Sequence, residues 1–257
     1  MAQPSTLKDK VVWITGGGSG IGLAGAQALK NAGAAVVISG RSEKTLKHPG
    51  LEAIALDVGD QKAVAKVAAT ILERHGRIDI LVNSAGINHP KRRFKDVSTE
   101  GWDQIVAINL SGTFYCCQAV LPGMRERKGG LIINVASWFG RYWNTLGGPG
   151  YNATKHAVVS LTETINVEEA ANGIRATCVL PGEVATPILE KRPVPPPQHE
   201  RDRMLQAEDL GETILFLAML PQRACVNELV ISPTWNRFFL GGLEKSGSEP
   251  DFPERKR

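Results

Sequence analysis

The sequence predicts an α/β protein of the doubly wound class: a parallel sheet with helices on both faces, built as one domain. Three observations predict it. Short apolar, β-branched runs alternate with longer helical patterns along the chain. Several of these runs, LIINVA among them, are nearly continuous in apolar character, as strands covered on both faces are. No composition break or internal repeat divides the 257 residues. In order, strands are expected at Val11–Thr15, Ala35–Ser39, Glu52–Leu56, Ile78–Val82, Gly130–Ala136, Ile174–Leu180 and Glu228–Ile231. The helical stretches between them are Gly20–Asn31, Gln61–Arg74, Thr99–Arg125, Tyr151–Asn172 and Glu208–Leu220. Right-handed crossovers would place these helices on both faces of the sheet.

The domain is expected over residues 1–237. The proline-rich KRPVPPPQ at 191–198 reads as a loop within it, because an apolar helix and a strand follow and need a sheet to join. Residues 238–257 form a tail, partly disordered or docking through its aromatic part. A net charge of +4 suits anionic small ligands and is weak evidence for a nucleic-acid binder, which would show a basic stripe with interleaved aromatics; no nucleic-acid partner is expected. The densest basic run, Lys91-Arg92-Arg93-Phe94-Lys95, reads as a solvated loop. The four cysteines lack paired spacing, so neither a disulfide framework nor a metal site is expected, and the thiols read as buried and reduced. The N-terminus MAQPSTLKDK has no signal-peptide run, and no apolar run is expected to reach the ~18 residues of a membrane span. A cytoplasmic protein with no membrane partner is the expectation.

After the first expected strand, TGGGSGIG runs from Thr15 to Gly22 straight into a helix. Glycines there permit a tight turn and close approach of backbone N–H groups to a pyrophosphate, with the helix N-terminus adding partial positive charge. A plain strand-to-helix turn is the bland alternative. The second strand ends in Ser39-Gly40-Arg41, with no acid beside it. An arginine there can pair with the 2′-phosphate of NADP, whereas an acid would bind the ribose hydroxyls of NAD. Asp57-Val58 closes the third strand; the carboxylate is a candidate partner of an adenine amino group and equally a helix cap.

Tyr151-Asn-Ala-Thr-Lys155 follows Gly148-Pro149-Gly150, read as a helix breaker. Residues four apart share a helix face, so a phenol and an ammonium would meet the same space. A cation beside a phenol lowers its pKa and would let the pair exchange a proton with an alcohol or carbonyl oxygen. Ser137, ending the fifth strand, is a candidate hydrogen-bond partner of that oxygen. Asn109 and Asn83 are further polar candidates, each also readable as structural.

Together these ordered motifs resemble the short-chain dehydrogenase/reductase family, from about residue 7 to 234. The resemblance rests on TGGGSGIG, Asp57-Val58, NSAG at 83–86, Asn109, Ser137, Tyr151-x-x-x-Lys155 and Pro181-Gly182. It implies a single-domain Rossmann-type doubly wound fold with a seven-stranded parallel sheet. It implies Tyr151 as general acid or base, Lys155 on the nicotinamide ribose and lowering the tyrosine pKa, Ser137 polarising the carbonyl, and Asn109 holding a water that links Lys155 to solvent. It places Gly16, Gly18, Ser19, Gly20, Ile21 and Gly22 on the pyrophosphate, Asn83, Ala85 and Gly86 along the cofactor, and Pro181, Gly182, Val184 and Thr186 at the carboxamide. GRSEKTL after the second strand is similar to NADP-preferring members. NADP(H) is therefore expected ahead of NAD(H), with a small carbonyl or alcohol substrate and a homodimer or homotetramer paired through the helices at 99–125 and 151–172.

Three features depart from the family pattern. Thirteen residues, rather than twelve, separate Ser137 from Tyr151. That loop carries Trp138, Phe139, Tyr142 and Trp143, and Trp138, Phe139 and Trp143 are expected to wall an apolar substrate pocket with Ser137. Residue 19 is Ser where many NADP-using relatives have a basic residue, and the end reads NELVISPT rather than glycine-rich. A non-catalytic NADP-binding sensor on the same fold is the alternative; its mark, loss of the Ser, Tyr or Lys, is absent from the sequence.

Overall fold

The computed structural model describes residues 6–236 and Phe238; the remainder of the expected tail lies outside the described residues. Seven parallel strands form one sheet in the order β3-β2-β1-β4-β5-β6-β7. They are β1 Val11–Thr15, β2 Ala35–Gly40, β3 Glu52–Ala55, β4 Ile80–Asn83, β5 Gly130–Val135, β6 Ile174–Pro181 and β7 Glu228–Ile231. The helices are α1 Gly20–Asn31, α2 Glu43–Leu46, α3 Gln61–His75, α4 Thr99–Val106, α5 Gly112–Glu126, α6 Gly148–Glu169, α7 Gln198–Arg201 and α8 Ala207–Met219. Strand order reverses where β1 meets β4, and the crevice beyond the carboxyl ends of strands at such a switch point is where ligands bind in open α/β sheets.

Alternation along the buried strands feeds two cores. Val11 and Trp13 of β1 and Ile132 of β5 pack with Val67 and Ile71 of α3 and Cys116 and Val120 of α5 on one face. Val12, Ile14, Leu131 and Ile133 pack with Leu29 of α1 and Ile214 of α8 on the other. Parallel strands buried on both faces explain why the sequence runs are continuously apolar rather than alternating. Trp13, fully buried, spends its one donor on Ser39 Oγ at 3.0 Å. Cys116, Cys117 and Cys178 are buried free thiols; Cys225, expected buried, is exposed.

Most element ends fall within a residue or two of expectation. Two differences bear on the site. The single helix expected over Thr99–Arg125 is interrupted by a π-helical turn, Ala107–Ser111, between α4 and α5. And α6 starts at Gly148, so Gly148-Pro149-Gly150 is its first turn and not a breaker. Proline is tolerated in a first turn, where its missing N–H would have had no intrahelical partner. By length and composition alone the Thr99–Glu126 stretch is apolar enough to cross a bilayer. Here Ile105, Cys116, Cys117, Val120 and Met124 turn that apolar surface into the core against the sheet.

Candidate active site

The glycine turn sits at the carboxyl end of β1. Gly16 has φ +67°, and a Cβ there would lie 2.7 Å from the Ala85 backbone N, so only glycine lets the turn lie against the loop after β4. A Cβ at Gly22 would lie 2.4 Å from the Gly16 carbonyl oxygen. Ser19 occupies the N-cap of α1 but its side chain makes no capping bond. The first-turn N–H groups of α1 thus remain available to an anion. Gly18 faces the other way, under Thr45 of α2, and its carbonyl contacts His48 Nε2 at 3.1 Å. Those features fit a nucleotide pyrophosphate on Gly16, Ser19, Gly20 and Ile21.

The loop leaving β4 runs beside the turn. A Cβ on Gly86 would sit 3.6 Å from Asn109 Oδ1 and 3.7 Å from Lys155 Nζ. Asn109 hangs from the π-helical turn and is buried. Its Oδ1 accepts from the Ile87 N–H at 2.8 Å, and its Nδ2 donates to the Ile87 carbonyl at 3.0 Å. Two-point clamping of one residue's backbone explains the irregular turn: the wider π geometry carries Asn109 to Ile87. Asn109 therefore positions the loop after β4. Asn83 lies deeper than expected. Its Nδ2 donates to Asn134 Oδ1 at 2.9 Å within the sheet, and it is Ser84, Ala85 and Gly86 that reach the cavity.

Ser137 follows β5, and Tyr151 and Lys155 lie one turn apart on α6. Lys155 is 5% exposed, and its Nζ donates to the Val135 carbonyl at 2.8 Å. Burial pushes its pKa down to about 8. Burial pushes the Tyr151 phenol up, while its hydrogen bond with Ser137 and the charges of Arg192 and Arg92 pull it back. Lys155 Nζ is turned to Val135, 5.6 Å from the Tyr151 ring centroid, and two arginines act on the phenol.

One cavity of about 280 Å³ joins these parts, from Gly16 and Ser19–Ile21, past Ser84–Gly86, to Ser137, Tyr151 and Lys155. Pro181, Gly182, Glu183, Val184 and Thr186 roof it. The roof is pinned by the Gly182 N–H on the Ile231 carbonyl at 2.7 Å and by pairing of Val184 with Leu205. Thr186 reaches over Gly20, 3.1 Å from where a Cβ would stand. Trp138 and Phe139 line the cavity beyond Tyr151, joined by Phe238, whose ring stacks on Trp138 at 5.4 Å. Trp143 does not line it and is 81% exposed, because the chain after Phe139 turns outward through Arg141, which pairs with Glu163 and Glu228. Among the described residues no group of three or more His, Cys, Asp or Glu side chains is placed to hold a metal ion.

Three expected adenosine-side residues lie beyond this cavity. Arg41, just past β2, is exposed and makes no ion pair among the described residues. Asp57, past β3, turns its Oδ1 onto the Gly59 N–H at 3.0 Å. Val58 is buried, with its side chain under Gly112, leaving only its backbone for a nucleotide. All three follow strands on the side of the sheet where the glycine turn lies.

Other residues at that end of the cavity carried no site marking in the sequence. Arg92, expected solvated, is 8% exposed and lines the cavity with Arg192, Glu183 and Leu189. Arg192 pairs with Glu183 at 2.7 Å. A basic run is usually a solvated face. Only the fold brings the carbonyls of residues 146 and 191 to Arg92, more than fifty positions away.

Residues 10–195 match the profile of the short chain dehydrogenase family. An uncharacterized oxidoreductase of Staphylococcus aureus (strain USA300) is 33% identical over 237 residues, covering 89% of this chain and 99% of the relative. Among solved structures, the 3-ketoacyl-(acyl-carrier-protein) reductase from Brucella melitensis, complexed with NADH, superposes with a TM-score of 0.81 at 31% identity, covering 89% of this chain and 99% of that one. An alcohol dehydrogenase from the archaeon Thermococcus sibiricus, complexed with 5-hydroxy-NADP, gives 0.76 at 28% identity, covering 89% and 98%. With the seven-stranded parallel sheet and the motifs in family order, the chain belongs to the short-chain dehydrogenase/reductase family, oxidoreductases that use a nicotinamide cofactor on small-molecule substrates.

Proposed function

We propose that the protein interconverts a carbonyl and an alcohol with NADP(H), the reacting oxygen lying between Ser137 and Tyr151. The observation that carries this is the single cavity joining the glycine turn to Ser137, Tyr151 and Lys155. When bound, the nicotinamide cofactor supplies or accepts the hydride. Gly16, Ser19, Gly20 and Ile21 hold its pyrophosphate, Ala85 and Gly86 border its path, and Val184 and Thr186 lie over its carboxamide end. Lys155, held by Val135, presents an ammonium to the ribose beside Gly86.

In reduction, the Tyr151 hydroxyl donates its proton to the carbonyl oxygen while Ser137 donates a hydrogen bond to the same oxygen. In oxidation, the Tyr151 oxygen takes the alcohol proton. Arg92 and Arg192 stabilise the phenolate that remains after donation, which supports the acid role of a phenol that burial alone would hold protonated. Trp138, Phe139 and Phe238 offer an apolar wall to the rest of the substrate. The preference for NADP(H) rests on Arg41, an exposed guanidinium with no competing ion-pair partner among the described residues. A cytoplasmic location accords with the free thiols.

Tyr151→Phe tests the assignment. It is expected to lower turnover of a carbonyl panel by at least ~100-fold, the scale of lost general-acid catalysis, with NADPH binding unchanged by fluorescence titration. Full activity in that variant would remove Tyr151 from the chemistry.

A further inference from the structure

We infer that the substrate carries a carboxylate next to the carbon chain that bears its reacting oxygen, and that Arg92 binds this carboxylate. The inference rests on the hydride-transfer reading above and names the substrate class of the same site.

Arg92 is 8% exposed, and its backbone lies against the first turn of α6. A Cβ on Gly148 would stand 2.0 Å from the Arg92 carbonyl oxygen. Gly148 precedes Tyr151 by three residues, so the two share a helix face. Arg92 thus enters the cavity one helical turn from the phenol, and the two side chains act on each other electrostatically.

The guanidinium is only partly engaged. Its Nε donates to the His89 carbonyl at 2.7 Å, Nη2 to the Lys191 carbonyl at 2.7 Å, and Nη1 more distantly to the Leu146 carbonyl at 3.4 Å. A guanidinium has five N–H donors, so one remains on each terminal nitrogen for a further acceptor, and a carboxylate offers two acceptor oxygens. No carboxylate pairs with Arg92 among the described residues. The wall of the cavity carries Arg92, Arg192 and Lys155 against one carboxylate, Glu183, which already holds Arg192 at 2.7 Å. A buried cation held only by neutral carbonyls is costly until a counter-charge meets it. Burial and the nearby Arg192 push Arg92 down to about 10, still protonated at neutral pH.

Strapping three chain segments together would not by itself need a charge. It also leaves two donors unused beside the reacting phenol. An anionic substrate accounts for both: its carboxylate takes the unused donors, its carbonyl reaches Tyr151 and Ser137, and its carbon chain lies on Trp138 and Phe139 in the wall.

The test compares matched acids and esters. Wild-type enzyme with NADPH is assayed on acetoacetate and 2-oxobutanoate and on their methyl esters. At least one acid is expected to exceed its ester tenfold in kcat/KM. Arg92→Gln should lower both substrates' kcat/KM through lost support of the Tyr151 phenolate, and the acid's at least tenfold more than the ester's, while Arg92→Lys, which keeps the charge but not the two-nitrogen geometry, falls between. Loss of structure would depress both substrates alike, and the wild-type comparison with Arg92→Lys then decides. Calorimetric titration of both acids into NADPH-loaded Tyr151→Phe, with and without Arg92→Gln, reads binding apart from turnover. Arg92-dependent acid binding without turnover in wild type would uphold the carboxylate site and sink the hydride-transfer reading. Neutral carbonyl reduction with acids handled no better than esters, or acid binding absent or indifferent to Arg92→Gln, would overturn the carboxylate site and leave the hydride-transfer reading standing.

Discussion

Lys155 keeps an ammonium in the core at an energetic cost. Burial moves it to about 8, against roughly 10.4 for a lysine in an unfolded chain. Below pH 8 both states carry the proton and the whole penalty falls on the folded protein. Between about 8 and 10.4 the unfolded chain binds more proton, so stability rises with pH across that window. Lys155→Met is therefore expected to raise the melting temperature at pH 7 by about 2–4 °C, the scale of ~1 kcal/mol in a protein of this size, and to abolish turnover. The advantage over wild type should shrink as pH rises from 8 to 10. A lower Tm at pH 7, or a gap that ignores pH, would show that the bond to Val135 outweighs the buried charge. Arg92 and Arg192 have the opposite relation to Tyr151, since they favour the charged form of their neighbour. The sequence marked Tyr151 and Lys155 through their spacing. It marked neither arginine, because nothing local distinguishes a cavity arginine from a solvated one.

At the scale of elements, strand ends do the positioning. β1 delivers the glycine turn, β4 the Ser84–Gly86 loop, β5 Ser137 and β6 the Pro181–Thr186 roof, all on the carboxyl side of the sheet. The end of β2 delivers Arg41. With no acid beside it, Arg41→Ala is expected to reduce the ratio of NADPH to NADH efficiency by about tenfold or more, the scale of one hydrogen bond between charged groups. Steady-state comparison of the two cofactors checks this, and an unchanged ratio would remove Arg41 from cofactor choice. The π-helical turn at Ala107–Ser111 was not legible, since helical periodicity continues through it. Its cause is the bond from Asn109 to Ile87, between residues 22 positions apart. Trp143 failed for a related reason. Its aromatic character suggested a wall, while the ion pairs of Arg141 turn the loop outward.

Across the whole molecule, the helices flanking the sheet leave apolar groups outside. Trp102 of α4, Phe114 of α5 and Val167 of α6 are 38%, 44% and 83% exposed. Large side chains on adjacent helices are the material of a subunit interface. A homodimer or homotetramer through this face is the expected assembly, and closed symmetric association is the common outcome for such patches. Phe114→Glu should shift sedimentation toward a smaller species while leaving the far-ultraviolet spectrum unchanged. A wild-type protein that already sediments as a monomer would exclude the interface.

The sequence by itself determined the sheet, the order of its helices and strands, the glycine turn and the Ser137, Tyr151 and Lys155 constellation. Each is written in local signals: runs of apolar residues, glycines where backbones must touch, and a four-residue helical spacing. Tertiary structure alone decided the charge at the Tyr151 end of the cavity. It buried Arg92 among carbonyls distant in sequence, tied Arg192 to Glu183 and set both beside the phenol. It also directed Lys155 to Val135 and Asn109 to Ile87. Burial and long-range pairing determine how a charged group behaves, and both depend on chain segments that meet only in the folded protein.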